Sequence, residues 1–204
     1  RDDGAIAEPG EDLESGARKW QRQFLPDASA RELACAAAAP TDCRNLFSTG
    51  TSVTIVTLAG GKQVLTVGQK WGFVYGLDPD SNGEELWRTR VALGGDLGGV
   101  MYGMATDGSA LYVPVSDDEA SPPHRPGGLA ALDPASGAVL WRVAGPDPQC
   151  SWGAQGCNAA FVAAPTAVPG AVFTGAWDGR VRVYSSGDGS LMRDIDTGGE
   201  FAAV

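Results

Sequence analysis

The sequence predicts an all-β protein, a β-propeller of four-stranded antiparallel blades that this chain contains as a partial propeller. The first observation is the stretch from Gln63 to Val91, where short runs of Val, Leu, Phe, Tyr and Trp alternate with Gly, Pro, Asn and Asp. Strands favour the first group of residues and turns favour the second. The second observation is that the last hairpin of this stretch, which turns at Asn82-Gly83, recurs along the chain.

The recurring hairpin has a glycine in its turn and a tryptophan four residues later. The copies are Gly16–Trp20, Gly83–Trp87, Gly137–Trp141 and a fourth, Gly189–Arg193, in which arginine replaces tryptophan. The spacing between copies varies, so residues must be inserted between strands, which favours four-stranded blades over a helical solenoid. We expect each tryptophan to pack against the neighbouring blade.

We expect residues 1–204 to be a fragment of one propeller domain. Its predicted parts are the end of a blade (1–20), a connector loop (21–50), blades at 51–93, 94–144 and 160–197, a second connector loop (145–159) and the start of another blade (198–204). The innermost strands of the full blades are predicted at Val53–Leu58, Gly99–Ala105 and Ala160–Val168. The remainder of the propeller is therefore an expected partner.

The composition excludes two classes of partner. The net charge is −10, and nucleic-acid binding needs a basic surface. No apolar run reaches the length of a membrane span.

Because Arg1 is not a natural start, we expect processing or truncation upstream of it.

The four cysteines form two local pairs, Cys35 with Cys43 and Cys150 with Cys157. Even number and local pairing favour two disulfides over free thiols, and hence an oxidising compartment, periplasmic or secreted. A zinc site would need closer cysteine spacing or a nearby histidine, and His124 is the single histidine of the chain. No serine or cysteine partner makes His124 part of a catalytic triad, so we interpret it as a solvated loop residue.

All the long insertions belong to connections that emerge on one face of a propeller. If the strands of a blade are numbered outward, the two-to-three turns and the four-to-one connections share a face. Residues 21–50 and 144–159 are four-to-one connections, and 116–127 is a two-to-three loop. Function in repeat scaffolds concentrates where loops are elaborated, so we predict the site on this face.

Two turns on that face carry candidate residues. Lys70, with Trp71 beside it, lies in the two-to-three turn of the first full blade, and Trp177 lies in the matching turn of the third. Lys70 is either a cationic contact near the propeller axis or a solvated turn lysine. Trp177 is either a stacking surface for a flat ligand or an aromatic side chain that shields the blade edge.

The acidic turn of the first full blade has the spacing that begins a calcium loop, with Asp78, Asp80 and Asn82. Thr89 stands where such a loop needs glutamate. We therefore predict a hairpin turn there and no metal ligands.

Four long strings carry a resemblance to a known family. They are VLTVGQKWGFVYGLDPDSNGEELW, GGVMYGMATDGSALYVPVSD, GGLAALDPASGAVLW and CSWGAQGCNAAFVAAPTAVPGAVFTGAWDGRVRVYSSGDG. In these strings the chain resembles the quinoprotein alcohol dehydrogenases, propellers that bind pyrroloquinoline quinone (PQQ), and among them the polyvinyl alcohol dehydrogenases. The hairpin motif alone marks only the PQQ-repeat class, which includes non-enzymatic scaffolds.

The resemblance implies a cofactor site. In that family a lysine or arginine ahead of the turn glycine hydrogen-bonds the quinone carbonyls, and Lys70 matches it. Its charge would stabilise the oxyanion that forms when the quinone takes up hydride. Tyr102 matches the inner-strand aromatic residue that is often tryptophan in relatives. With Trp71 and Trp177, these residues are the predicted cofactor contacts.

The resemblance also implies a general base in the connector before the lysine-bearing blade. Glu32 is the nearest positional match, although Arg31 stands where relatives have an aromatic residue, and Asp27 is the second choice. The expected cofactors are PQQ and Ca²⁺, with the calcium ligands upstream of Arg1.

Two functions follow as hypotheses from this resemblance. In the first, the chain is part of a PQQ-dependent alcohol dehydrogenase that oxidises secondary alcohols and passes electrons to a cytochrome c. In the second, it is part of a non-catalytic PQQ-repeat propeller that binds protein partners.

Overall fold

The computed structural model describes residues 7–11, 14–24, 49–95, 97–118, 124–151 and 157–199, and these form one hairpin and three four-stranded antiparallel sheets. A single turn of 3₁₀ helix at Pro79–Ser81 is the helical structure among these residues. Within the same ranges, no helix has the length and apolarity needed to cross a bilayer.

The strands follow one another as a meander in every sheet. The hairpin pairs β1 (Ala7–Glu11) with β2 (Arg18–Gln23). Blade one consists of β3 (Thr54–Thr57), β4 (Gln63–Gly68), β5 (Phe73–Asp78) and β6 (Glu84–Arg90). Blade two consists of β7 (Ala105–Thr106), β8 (Leu111–Pro114), β9 (Gly128–Leu132) and β10 (Val139–Ala144). Blade three consists of β11 (Thr166–Val168), β12 (Ala171–Ala176), β13 (Arg180–Ser185) and β14 (Leu191–Asp196).

Successive blades pack face to face around an axis. Leu111 and Val113 of β8 lie in one core cluster with residues of blade one, whereas Tyr112 lies in a second cluster with Phe161. Because side chains alternate across a strand, β8 contacts a different neighbour on each side. The innermost strands also contact one another in order, β3 with β7 and β7 with β11. The predicted β-propeller fold is therefore confirmed.

An indole ring joins each outer hairpin to the next one. A methyl group added to Gly83, Gly137 or Gly189 would lie 2.5, 2.5 or 2.6 Å from ring atoms of Trp20, Trp87 or Trp141, respectively. The indole N–H of Trp87 donates to the Pro134 carbonyl at 3.0 Å, and that of Trp141 donates to the Ser186 carbonyl at 3.0 Å. The predicted packing role of these tryptophans is thus observed.

The turn glycines satisfy two requirements at once. Their φ angles, 70° at Gly83, 72° at Gly137 and 73° at Gly189, lie in the left-handed region that favours glycine. The absence of a side chain also leaves the space into which the preceding blade's indole ring fits. This double requirement explains why the glycine marks the repeat.

A register shift recurs beside each tryptophan position. The pairing of the third and fourth strands shifts at Gly10/Glu11, Gly76/Leu77, Val139/Trp141 and Val183/Tyr184. In the first three copies the tryptophan lies opposite a small residue, and in the fourth Arg193 lies opposite Val183. A bulge re-aims a side chain. Here the bulge lies beside a tryptophan whose indole ring crosses the third strand of its own blade and then contacts the next blade.

Two innermost strands are shorter than the sequence predicts. The prediction Gly99–Ala105 was wrong, because β7 begins only at Ala105. Gly99 has a φ of 69°, and its N–H and C=O bond to Asp117 and Ser116 instead of to a strand. The prediction Ala160–Val168 was also too long, because β11 begins after Pro165, which has no N–H to donate.

A pair of glycines tests the contribution of the indole contact. Gly108 and Gly137 both have positive φ, but a methyl group would meet nothing within 4 Å at Gly108 and the Trp87 ring at Gly137. We expect Gly108→Ala to lower the free energy of unfolding by about 1–2 kcal/mol through backbone strain. Gly137→Ala should cost about 1–3 kcal/mol more, because the ring must move. Urea unfolding followed by circular dichroism measures both, and equal losses would contradict the packing role.

Candidate functional site

The Lys70 turn connects β4 to β5 and is tightly closed. The Gly72 N–H donates to the Gln69 carbonyl at 2.9 Å, and the Gln69 N–H donates to the Phe73 carbonyl at 2.9 Å. The guanidinium of Arg90 lies 5.4 Å from the ring centre of Trp71, within the range of a cation–π contact. Lys70 itself is half-buried in this turn.

The Trp177 turn has the same geometry in blade three. The Gly179 N–H donates to the Ala176 carbonyl at 3.0 Å, so Trp177 occupies the turn position that Lys70 occupies in blade one. The carboxylate of Asp178 is fully buried and faces the equally buried guanidinium of Arg182, with Nη1 donating to Oδ1 at 3.0 Å. This charged pair supports the turn from beneath.

These turns lie on one side of the propeller with the connections between blades. We call this side the loop face, and its described parts fall within 68–72, 91–104, 115–127, 144–160 and 176–179. The Gly95 N–H donates to the Lys70 carbonyl at 3.3 Å, and the Val100 N–H donates to the Gln69 carbonyl at 3.2 Å. The connection from blade one to blade two therefore rests directly on the Lys70 turn.

Asp117 holds that connection in place. Its carboxylate accepts the backbone N–H groups of Leu93 at 2.8 Å, Gly94 at 3.0 Å and Gly99 at 2.8 Å. The residue is only 6% exposed and has a φ of 44°. Hydrogen bonds to a charged acceptor are stronger than neutral ones. One side chain of blade two thus fixes the path of the chain beside Lys70.

The disulfide loop is joined to the same face. Cys150 and Cys157 are bonded, with Cα atoms 5.8 Å apart, which confirms the predicted pair. The Gln149 N–H, next to the disulfide, donates to Asp178 Oδ2 at 3.1 Å. The residue before Cys150 is therefore bonded directly to the Trp177 turn.

Tyr102 lies in the connection that enters β7. Burial raises the pKa of its phenol, and the negative charge of Asp118 contributes to the same shift. Tyr102 is half-buried, as Trp71 and Trp177 are. The loop face thus carries Lys70 and all three predicted aromatic residues.

Four predicted residues lie outside the described residues. They are the candidate bases Glu32 and Asp27 and the cysteine pair Cys35 and Cys43. Their roles stay predictions, as do the cofactor-binding roles of Lys70, Trp71, Tyr102 and Trp177. Sequence reasoning missed Asp117 and the Asp178–Arg182 pair, because neither belongs to the hairpin repeat.

The acidic turn of blade one is a hairpin turn, as predicted. Asp78 accepts the Asp80 N–H at 2.9 Å and pairs with Lys62 at 2.9 Å. The hydrogen bond from Lys62 is the main cause that lowers the pKa of Asp78. Within the described ranges, no three His, Cys, Asp or Glu side chains converge as metal ligands would.

A family model identifies the class of protein. The PQQ-repeat model described as "Outer membrane protein assembly factor BamB" matches residues 70–192, more than half of the chain. The chain therefore belongs to this family of PQQ-repeat propellers.

Two curated relatives confirm the resemblance to quinoprotein alcohol dehydrogenases of the polyvinyl alcohol dehydrogenase type. A polyvinylalcohol dehydrogenase from a Pseudomonas species is 37% identical over 96% of this chain, and one from Sphingopyxis sp. strain 113P3 is 36% identical over 92%. The chain spans 30% of the length of each relative.

A solved structure supports the fold. The quinohemoprotein alcohol dehydrogenase from Pseudomonas putida HK5 superposes with a TM-score of 0.64 at 12% identity, over 96% of this chain and 33% of its own. At this identity the likeness concerns the propeller architecture alone.

Asp117 offers a test of how the loop face is ordered. Asp117→Ala removes the acceptor of three backbone N–H groups, so we expect about 1–3 kcal/mol of destabilisation. Amide hydrogen exchange should accelerate at Leu93, Gly94 and Gly99. Asp147→Ala is the matched control, because that carboxylate is exposed and pairs with Arg125 on the surface. Unchanged exchange at the three amides would contradict the proposed role of Asp117.

Buried phenols predict a loss of stability at high pH. Burial raises the pKa of Tyr75 and of Tyr184 from 10.0 to about 12. The folded state holds these protons more tightly, so its stability is complete below pH 10 and is lost as the pH rises toward 12. Urea unfolding at a series of alkaline pH values should show this fall. Tyr75→Phe should reduce its slope, and an unchanged slope would contradict the assignment to Tyr75.

Proposed function

We propose that this chain is part of a PQQ-dependent alcohol dehydrogenase of the polyvinyl alcohol dehydrogenase type. The whole enzyme would oxidise secondary alcohols and pass the electrons to a cytochrome c. The observation that carries the proposal is the 37% identity to a polyvinylalcohol dehydrogenase, which extends over 96% of the chain. Because the chain spans 30% of that relative, the activity belongs to the complete protein.

The chemistry of the loop face fits a planar, anionic quinone. A lysine and a tryptophan occupy equivalent turns of blades one and three, and Tyr102 lies in the connection between blades one and two. An ammonium group can donate to quinone oxygens, and aromatic rings supply flat apolar contact area. Lys70, Trp71, Tyr102 and Trp177 would hold the cofactor by these contacts.

Lys70 has the central role in this proposal. When bound, PQQ supplies the acceptor for the hydride that leaves the alcohol carbon. The Lys70 ammonium would donate a hydrogen bond toward a quinone oxygen and stabilise the negative charge that grows there. The Asp117 hydrogen bonds fix the chain that rests on the Lys70 carbonyl, which would position the backbone of Lys70 before substrate binds.

The proton of the alcohol needs a base. We assign this role to Glu32, with Asp27 as the second choice, because both precede blade one in the connector where the family carries its acid. A carboxylate there would accept the hydroxyl proton as the hydride departs. Calcium would be held by residues outside this segment.

The disulfide supports a location in an oxidising compartment. Cys150–Cys157 closes a loop on the loop face, and disulfides persist outside the cytosol. We therefore propose a periplasmic or secreted protein, in which a cytochrome c can receive electrons.

A second candidate is a scaffold propeller that binds protein partners. It is favoured by the family model, whose description names an outer membrane protein assembly factor. A scaffold would need no cofactor, so the two candidates differ in a measurable property.

Reconstitution of the full-length protein with PQQ and Ca²⁺ tests the enzyme. We expect quinone absorbance that survives dialysis and reduction of an artificial electron acceptor when a secondary alcohol is added. Primary alcohols and polyvinyl alcohol in parallel reactions define the substrate class. Protein that retains no quinone and reduces no acceptor would refute the dehydrogenase and favour the scaffold.

Substitution of Lys70 tests the proposed charge stabilisation. Lys70→Ala in the reconstituted enzyme should lower kcat by about 10²- to 10³-fold, as loss of an oxyanion donor does. Lys62→Ala is the matched control, because Lys62 is half-exposed in the β3–β4 turn and pairs with Asp78. Wild-type turnover in Lys70→Ala would remove this residue from the mechanism.

A further inference from the structure

A cavity lies between blade one and blade two. Its volume is about 580 Å³, and its lining includes the 90–93 segment on one side and 142–145 on the other. This volume is within the range of small-molecule sites. The remaining lining residues belong to the 115–129 part of blade two. The cavity is distinct from the cofactor contacts proposed above, because Lys70, Tyr102 and Trp177 do not line it.

The lining is strongly cationic. Arg90, Arg125 and Arg142 supply its positive charge, Asp117 is its acidic member, and His124 also lines it. The carboxylate of Asp117 is directed at three backbone N–H groups and is nearly inaccessible. The concentration of positive charge in this cavity is local, because the whole chain has a net charge of −10.

Two of the arginines are positioned by neutral groups. Arg90 donates from Nε to the Ala92 carbonyl at 3.2 Å and from Nη2 to the Leu93 carbonyl at 2.9 Å. Arg142 donates from Nη2 to the Val91 carbonyl. Among the described residues, neither arginine forms an ion pair with a carboxylate, whereas Arg125 pairs with Asp147. Within the part of the chain that the structure describes, the hydrogen bonds of Arg90 and Arg142 thus go to neutral carbonyls.

Two aromatic rings lie beside the Arg90 guanidinium. Its guanidinium lies 5.4 Å from the Trp71 ring centre and 5.9 Å from the Phe73 ring centre. A guanidinium has five N–H donors in a planar fork, so those that do not bond to the carbonyls stay available to a ligand. The planar guanidinium fork is preorganised, so it loses less entropy for each hydrogen bond formed with an oxyanion than a lysine side chain does.

We propose that this cleft binds a small oxyanion, a carboxylate or phosphate compound that accepts hydrogen bonds from Arg90 and Arg142 together. The two guanidinium groups act from neighbouring blades, so a bound anion links blade one to blade two. Binding requires neither PQQ nor an alcohol.

Titration calorimetry of the full-length protein with succinate and with inorganic phosphate tests the proposal. Sodium chloride at equal ionic strength is the control for screening. We expect saturable binding of at least one oxyanion, and the two titrations decide between carboxylate and phosphate. Tryptophan fluorescence should change with the same midpoint, because Arg90 lies over the Trp71 ring. No saturable binding of either anion would overturn the proposal.

Variants locate the binding. Arg90→Gln and Arg142→Gln should each weaken binding by about tenfold, the loss of one charged hydrogen-bond partner. Arg193→Gln is the matched control, since Arg193 is exposed on β14 and outside the cleft. Arg90→Lys and Arg142→Lys keep the charge and should bind with intermediate affinity if the glutamine variants fail to fold. Equal affinity in wild type and all four cleft variants would refute the site.

The two proposals can fail independently. Lys70→Ala should leave oxyanion binding unchanged, because Lys70 does not line the cleft. Oxyanion binding lost in Lys70→Ala would place the anion at the axis and overturn the separate cleft.

Discussion

The contact between an indole ring and a turn glycine of the following hairpin holds this propeller together. Three tryptophans reach across three seams, and two of them also donate their N–H to a carbonyl of the turn they cover. A buried tryptophan removes more apolar surface from water than other side chains do, and its N–H needs a partner. The neighbouring blade meets both needs, so the stability of each blade depends on its contacts with the next one.

The same contact explains how much of the fold could be predicted. The positions of the outer hairpins could be predicted from the sequence, because the turn residues and the tryptophan four residues later lie within one short segment. The innermost strands of blades two and three were predicted too long. Gly99 and Val100 donate their N–H groups to Asp117 and to the Gln69 carbonyl, and the sequence alone does not show which distant acceptor a backbone N–H will reach. Gly99 was the signal in the sequence for an irregular backbone, and it should have counted for more than the apolar residues that follow it.

The candidate site also contains residues that the sequence could predict and residues that it could not. Lys70 and Trp177 could be matched from sequence because each precedes a turn glycine that closes the same hydrogen bond. Asp117 could not be found, since its partners lie up to 24 residues away. Arg90 appears in sequence as one charged residue on an exposed strand, and only the fold brings it together with Arg142 and Trp71.

The backbone bond from Gln149 to Asp178 has a consequence for redox chemistry. Asp178 is clamped by Arg182, so the residue beside Cys150 is tied to an immovable anion. Thiol exchange at the disulfide would release the covalent ring while this anchor remained. The bond that closes the 150–157 loop therefore depends on the oxidation state of its surroundings, whereas the attachment of Gln149 to the Trp177 turn does not.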